Sequence, residues 1–157
     1  MAKKKKVTRS QKHPSTSSVR KSVEDLIRQR LANKYKPFIP LEPEGIKLDW
    51  ASRKPAVVCE IYAHVGELKS GQFKKVMTDA LRLVYVCELE DLPKSTTKIL
   101  AFCDKVAASK FKDGKGNWMA NAIKHFGIEI RVEKIPEKMR EDLVAEQRSQ
   151  AKNFKNK

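Results

Sequence analysis

The sequence predicts an α/β domain in the order helix, three strands, helix, strand, then a further helix, strand and helix. Three observations predict it. Residues 56–63 and 98–104 are apolar runs of strand length. Between them Phe73, Val76, Met77, Ala80, Leu81 and Val84 recur at helical spacing. At 157 residues the chain has the usual size of one domain. A strand, a helix and a second buried strand in succession is the pattern of a parallel crossover.

Residues 1–21 hold almost no apolar side chain, so they cannot offset the entropy of ordering and are expected to form a disordered basic tail. From Ser22 a helix is expected to about Lys34, with Val23, Leu26, Ile27 and Leu31 on one face. Pro37 ends it. Residues 38–41 and 46–50 then suggest two short strands around the turn Glu42-Pro43-Glu44-Gly45, the first an edge strand because of its prolines. A turn at 51–54 leads into the strand 56–63, which a single carboxylate, Glu60, interrupts.

Gly66 and Gly71 bracket a polar loop before the second helix, which runs to about Val86. The strand 98–104 ends at Asp104, and 112–116 is a turn-rich loop. Asn117–Phe126 predicts an amphipathic helix with Trp118 on its packed face, Ile128–Val132 a strand, and Pro136 the opening of a charged last helix. The domain is thus expected over 22–150, with 151–157 as a basic C-terminal tail.

Thirty-four Lys and Arg against 19 Asp and Glu leave a formal charge of +15. A polyanion is the natural partner of such a balance, and DNA or RNA is the commonest. Eight of the cations and no acid lie in residues 1–22, so the remainder still carries +7. No apolar run approaches the roughly 18–20 residues of a membrane span, and no signal-peptide stretch follows the basic start, so a cytoplasmic protein is expected. Cys59, Cys87 and Cys103 are far apart in apolar runs and read as buried, reduced thiols; neither they nor the three histidines have zinc-site spacing.

Asp49 and Glu60 stand eleven positions apart on consecutive expected strands. Two carboxylates on neighbouring strands can hold a hard cation such as Mg²⁺ beside a phosphodiester. This element order, with that acidic pair, resembles the restriction-endonuclease-like fold of the PD-(D/E)XK nuclease superfamily over about Ser22–Val132. The resemblance implies an αβββαβ core, metal binding by Asp49 and Glu60, and a lysine two positions after Glu60. That position is Tyr62. In some members the lysine moves to the following helix, which makes Lys75 the candidate here, since Gln72, Lys75 and Asp79 lie along one helical edge; Lys69 and Lys74 are its neighbours. Gln72 resembles a glutamine found on this helix in some relatives, Glu24 resembles an acidic residue that assists the metal in some, and His64 could contact a phosphate or carry a proton.

Other readings stand beside this one. Glu60 could face water on a half-exposed strand, and Asp49 could simply start a turn. Tyr62 and Trp50, near Arg53 and Lys54, are candidates for stacking on bases. The function classes are a Mg²⁺-dependent nuclease or a degenerate relative, a non-catalytic DNA- or RNA-binding module, and a protein-interaction subunit. Residues 113–117 lack the length and ending of a P-loop, and no nucleophile elbow supports a serine triad.

Overall fold

A computed structural model of the chain describes residues 17–37, 39–112 and 117–155. The elements are α1 (Ser17–Tyr35), β1 (Ile39–Pro40), β2 (Trp50–Lys54), β3 (Val57–Tyr62), α2 (Ser70–Leu89), β4 (Thr97–Phe102), α3 (Lys105–Lys112), α4 (Trp118–His125), β5 (Ile128–Val132) and α5 (Glu137–Lys155). The five strands form one sheet in the order β1-β2-β3-β4-β5. The first three pair antiparallel and the last three parallel. Each parallel step needs a helical crossover: α2 joins β3 to β4, and α3 with α4 joins β4 to β5.

Helices cover both faces of the sheet. Val57, Cys59 and Ile61 of β3 with Ile99 and Ala101 of β4 pack against Val23, Ile27 and Leu31 of α1 and Leu143 of α5. The alternate residues Val58, Leu100 and Phe102 pack against Val76, Ala80, Leu83 and Val86 of α2, with Ala107, Ala108 and Phe111 of α3 and Ile123 of α4. Burial on both faces explains why β3 and β4 read as continuous apolar runs.

Several boundaries differ from the sequence expectation. Helix α1 begins at Ser17, because Val19 extends the stripe of Val23 and Ile27 by one turn, and the Ser22 hydroxyl donates to the Ser18 carbonyl inside the helix. Residues 17–21, expected in the tail, are therefore helical; residues 1–16 of that tail lie outside the described residues. Helix α5 likewise continues through 151–155, and only 156–157 of the expected C-terminal tail lie outside the description.

The second strand is Trp50–Lys54, where a turn was expected, and the turn falls at Pro55-Ala56. Pairing with β3 decides this register: Trp50 sits opposite Cys59 and Ser52 opposite Val57. Asp49 consequently precedes β2 and does not close a strand. Helix α3 had no sequence expectation; Asp104 caps it, accepting the N–H groups of Val106 and Ala107 at 3.1 and 3.2 Å. Trp118 is 68% exposed and does not belong to the packed face of α4. Among the thiols, Cys59 and Cys103 are buried and Cys87 is half-buried.

Candidate active site

The β2–β3 hairpin brings Asp49 and Glu60 together. The Asp49 N–H lies 3.4 Å from Glu60 Oε2, and Asp49 Oδ2 accepts the Ile61 N–H at 2.8 Å. Glu60 shares the side of β3 that carries Val58 and Tyr62, and α2 covers that side, so Glu60 is only 4% exposed. The half-exposed strand therefore does not exist here. The aspartate accepts a bond from the β3 backbone and is thereby fixed against the strand that carries Glu60.

Helix α2 supplies the other side of the site. Residues 72, 75, 79 and 82 follow one edge of the helix at spacings of three, four and three. Asp79 is buried, and its carboxylate holds Lys75 Nζ at 2.8 Å and Arg82 Nη1 at 3.3 Å. The same Arg82 nitrogen is 3.3 Å from Glu60 Oε1, an ion pair that lacks hydrogen-bond geometry and leaves Oε1 without a hydrogen-bond partner. Arg82 also donates to the Lys47 carbonyl at 2.8 Å, which ties α2 to the segment before Asp49. Helix α1 contributes Arg28, whose Nη2 lies 3.2 Å from Glu24 Oε2 and 3.4 Å from Asp49 Oδ1, while its Nε donates to the Asp49 carbonyl at 2.9 Å.

Glu24, Asp49, Glu60 and Asp79 thus face Arg28, Arg82 and Lys75, four carboxylates against three cations, with the more exposed Asp25 also on Arg28. The deficit shows at Glu60. Burial, then the hydrogen bond and charge of Asp49, then the charge of Asp79, push its carboxyl up to about 8, against the pull of Arg82. Glu24 is also raised, by burial and by Asp49. Repulsion of this kind is relieved by a shared proton or by a cation.

His64, Lys69 and Gln72 form a different group at the end of β3. The Gln72 amide accepts the Lys69 N–H at 2.7 Å and meets His64 Nδ1 at 3.2 Å, and His64 Nε2 lies 3.2 Å from the Glu67 carbonyl. Burial lowers the His64 pKa. These bonds run among themselves and close the first turn of α2; none reaches Asp49 or Glu60. Lys75, bonded to Asp79, also has its Nζ 5.5 Å from the centre of the Tyr62 ring.

Tyr62 and Trp50 are both half-buried. Tyr62 lies on Phe102 with ring centres 5.7 Å apart, and Trp50 on Tyr35 at 5.9 Å. Arg28, Asp79 and Arg82 complete the site beyond the expected residues. Continuing the Gln72, Lys75, Asp79 edge by one step points to Arg82, and Arg28 stands four residues after Glu24; both signals are visible only once the site is located. Among the described residues, no group of three or more His, Cys, Asp or Glu side chains is placed to hold a metal ion, and no helix is long and apolar enough to cross a membrane. Compared with protein-family models, with curated proteins and with solved structures, the chain matches none.

Proposed function

We propose that the protein binds nucleic acid and acts on it as a Mg²⁺-dependent phosphodiesterase, with Asp49 and Glu60 as metal ligands. The carrying observation is the buried pair Asp49–Glu60, in which burial and the neighbouring carboxylates raise the Glu60 pKa within a chain of net charge +15. The order α1-β1-β2-β3-α2-β4 supports the reading, because it is the order that the nuclease resemblance implies.

The residues fit a magnesium ion. That cation takes one or two protein carboxylates and fills its remaining positions with water and phosphate oxygens, so a pair suffices. Glu60 Oε1 accepts no hydrogen bond and has only the Arg82 guanidinium at 3.3 Å, which makes it the hard donor a cation would take. Bound there, the ion would supply Lewis acidity at the phosphoryl oxygens. Asp49 is fixed by its bond to the Ile61 N–H, and Arg28 and Arg82 hold the acidic side chains in place. Lys75, on its Asp79 anchor, is the residue to orient a water molecule, taking the part of the lysine that Tyr62 replaces. Glu24 orients Arg28. The cationic surface and the segment 1–16 hold phosphates and make affinity fall with salt.

One observation favours a non-catalytic nucleic-acid-binding module: Arg28 and Arg82 already stand beside Asp49 and Glu60, where a metal ion would have to sit. Incubation of the purified protein with single- and double-stranded DNA and with RNA, in Mg²⁺, Mn²⁺ or chelator, separates the two. Cleavage that chelator abolishes and that Glu60→Gln loses supports the nuclease. Salt-dependent binding without cleavage in either metal leaves the binding module. Absence of both binding and cleavage removes the nucleic-acid reading altogether.

A further inference from the structure

Six of the eight arginines in the described residues, Arg28, Arg30, Arg53, Arg82, Arg131 and Arg140, are ion-paired with carboxylates. The two without such a partner among the described residues, Arg20 and Arg148, line one cleft. It lies at the C-terminal end of β3, between α1, the start of α2 and the last turns of α5, and Lys69 is its third cation. Glu67 is its acidic lining residue, so the cleft keeps a positive excess. Unpaired guanidinium groups on separate elements repel one another and gain nothing from convergence unless an anion joins them.

The walls are held in place. The Gln147 amide makes two bonds of 2.9 Å to the Val65 backbone, one as acceptor and one as donor, which fastens α5 to the chain leaving β3. His64 and Gln72 are bonded to each other on the opposite wall. At the mouth stands Phe154, 85% exposed on the last turn of α5, in a helix otherwise rich in charge. The cleft volume of 530 Å³ lies within the roughly 300–1,000 Å³ of small-ligand sites, room enough for nucleotide units.

We infer that this cleft binds single-stranded nucleic acid, with Arg20, Lys69 and Arg148 on its phosphates and an unpaired base stacked on Phe154. Phosphates alone would suit any polyanion; the exposed ring beside them selects a strand whose bases are free to stack. Arg20 also lines the neighbouring cleft that contains Glu24, Arg28 and Asp49, so a strand held at Arg148 passes over Arg20 toward the carboxylate pair. The inference rests on the nucleic-acid reading above and not on the metal site.

The test is fluorescence anisotropy with full-length protein in chelator, using labelled DNA and RNA single strands of about 20 nucleotides and the matching DNA duplex. Phe154→Ala is expected to weaken single-strand binding about tenfold, the order of one lost base–aromatic stack, and to leave duplex binding unchanged. Arg20→Glu/Arg148→Glu should lose about a hundredfold, whereas Lys54→Glu/Lys94→Glu, the same charge change at the opposite end of β3, should lose about threefold or less. Thermal melts matching wild type keep folding out of the comparison. DNA and RNA single strands responding alike would mean readout by stacking and phosphate; a response of one alone assigns the sugar. If wild type binds a single strand and the two double variants lose equally, or Phe154→Ala changes nothing, the cleft assignment is overturned while the nucleic-acid reading survives. If wild type binds no oligonucleotide, both fall together.

Discussion

Asp49 and Glu60 meet across the β2–β3 hairpin with the Asp49 N–H 3.4 Å from Glu60 Oε2, and burial of Glu60, reinforced by this neighbour, sets how it titrates. Its carboxyl rises from 4.5 to about 8 in the folded chain, so the native state binds a proton more tightly than the unfolded state. The stability associated with that proton is fully present below about 4.5 and is lost as the pH rises through about 8. Wild type should therefore melt at lower temperature at pH 8 than at pH 6 by an amount worth on the order of a few kcal/mol, and Glu60→Gln should flatten that slope. Mg²⁺ should restore the wild-type melt at pH 8 and have no such effect on Glu60→Gln. A pH slope that Glu60→Gln leaves unaltered would exclude Glu60 as its source.

Arg82 joins Glu60, Asp79 and the Lys47 carbonyl. Arg82→Met keeps the aliphatic stem and removes the charge, leaving two buried carboxylates without it, and should destabilise by about 2 kcal/mol in a denaturant melt. Lys75→Ala should cost about 0.5 kcal/mol or less, because its ammonium is largely exposed. On the proposed nuclease reading, Lys75→Ala should slow cleavage with metal affinity retained, which isothermal titration with Mn²⁺ checks. Equal stability losses for the two variants would contradict the burial argument.

Asp104 accepts three backbone N–H groups, from Gly66, Val106 and Ala107, and pairs with Arg140. Burial acts to raise its pKa, but the Arg140 bond and those N–H groups outweigh it and hold the carboxyl below its usual 3.8. Its contribution is present above about 3.8 and lost as the pH falls through the lowered value. Asp104→Asn should lower stability at pH 7 by about 2–3 kcal/mol and narrow the gap to wild type in acid, as urea melts at pH 7 and pH 3 would record.

The three thiols should react in two classes. Cys59 and Cys103 are buried, and burial raises the Cys103 thiol to about 11 and the Cys59 thiol higher still. Cys87 is half-buried and raised to a lesser degree. One fast and two slow labelling events are expected in native protein, with all three fast in denaturant. Peptide mapping that assigned the fast event to Cys59 would contradict the packing of β3.

The strands β3 and β4, the stripe of α2 and the charge of the surface were legible because each follows from local composition. A strand buried on both faces must be apolar throughout, and Glu60 stood out against that run. The sequence alone thus determined the α/β class, the central strands and the acidic pair as a candidate. What it could not determine was decided by contacts between distant segments. Ser52-Arg53-Lys54 has no strand signature, and only the pairing of Ser52 with Val57 and of Lys54 with Ile39 makes it part of β2, which leaves Asp49 before the strand and against Ile61. Arg82 and Arg28 are ordinary helix-surface residues until α1 and α2 pack on opposite faces of the sheet and bring them to the same pair of carboxylates. The convergence of Arg20 and Arg148, 128 positions apart, has the same origin, since α1 and α5 lie side by side only in the folded layer.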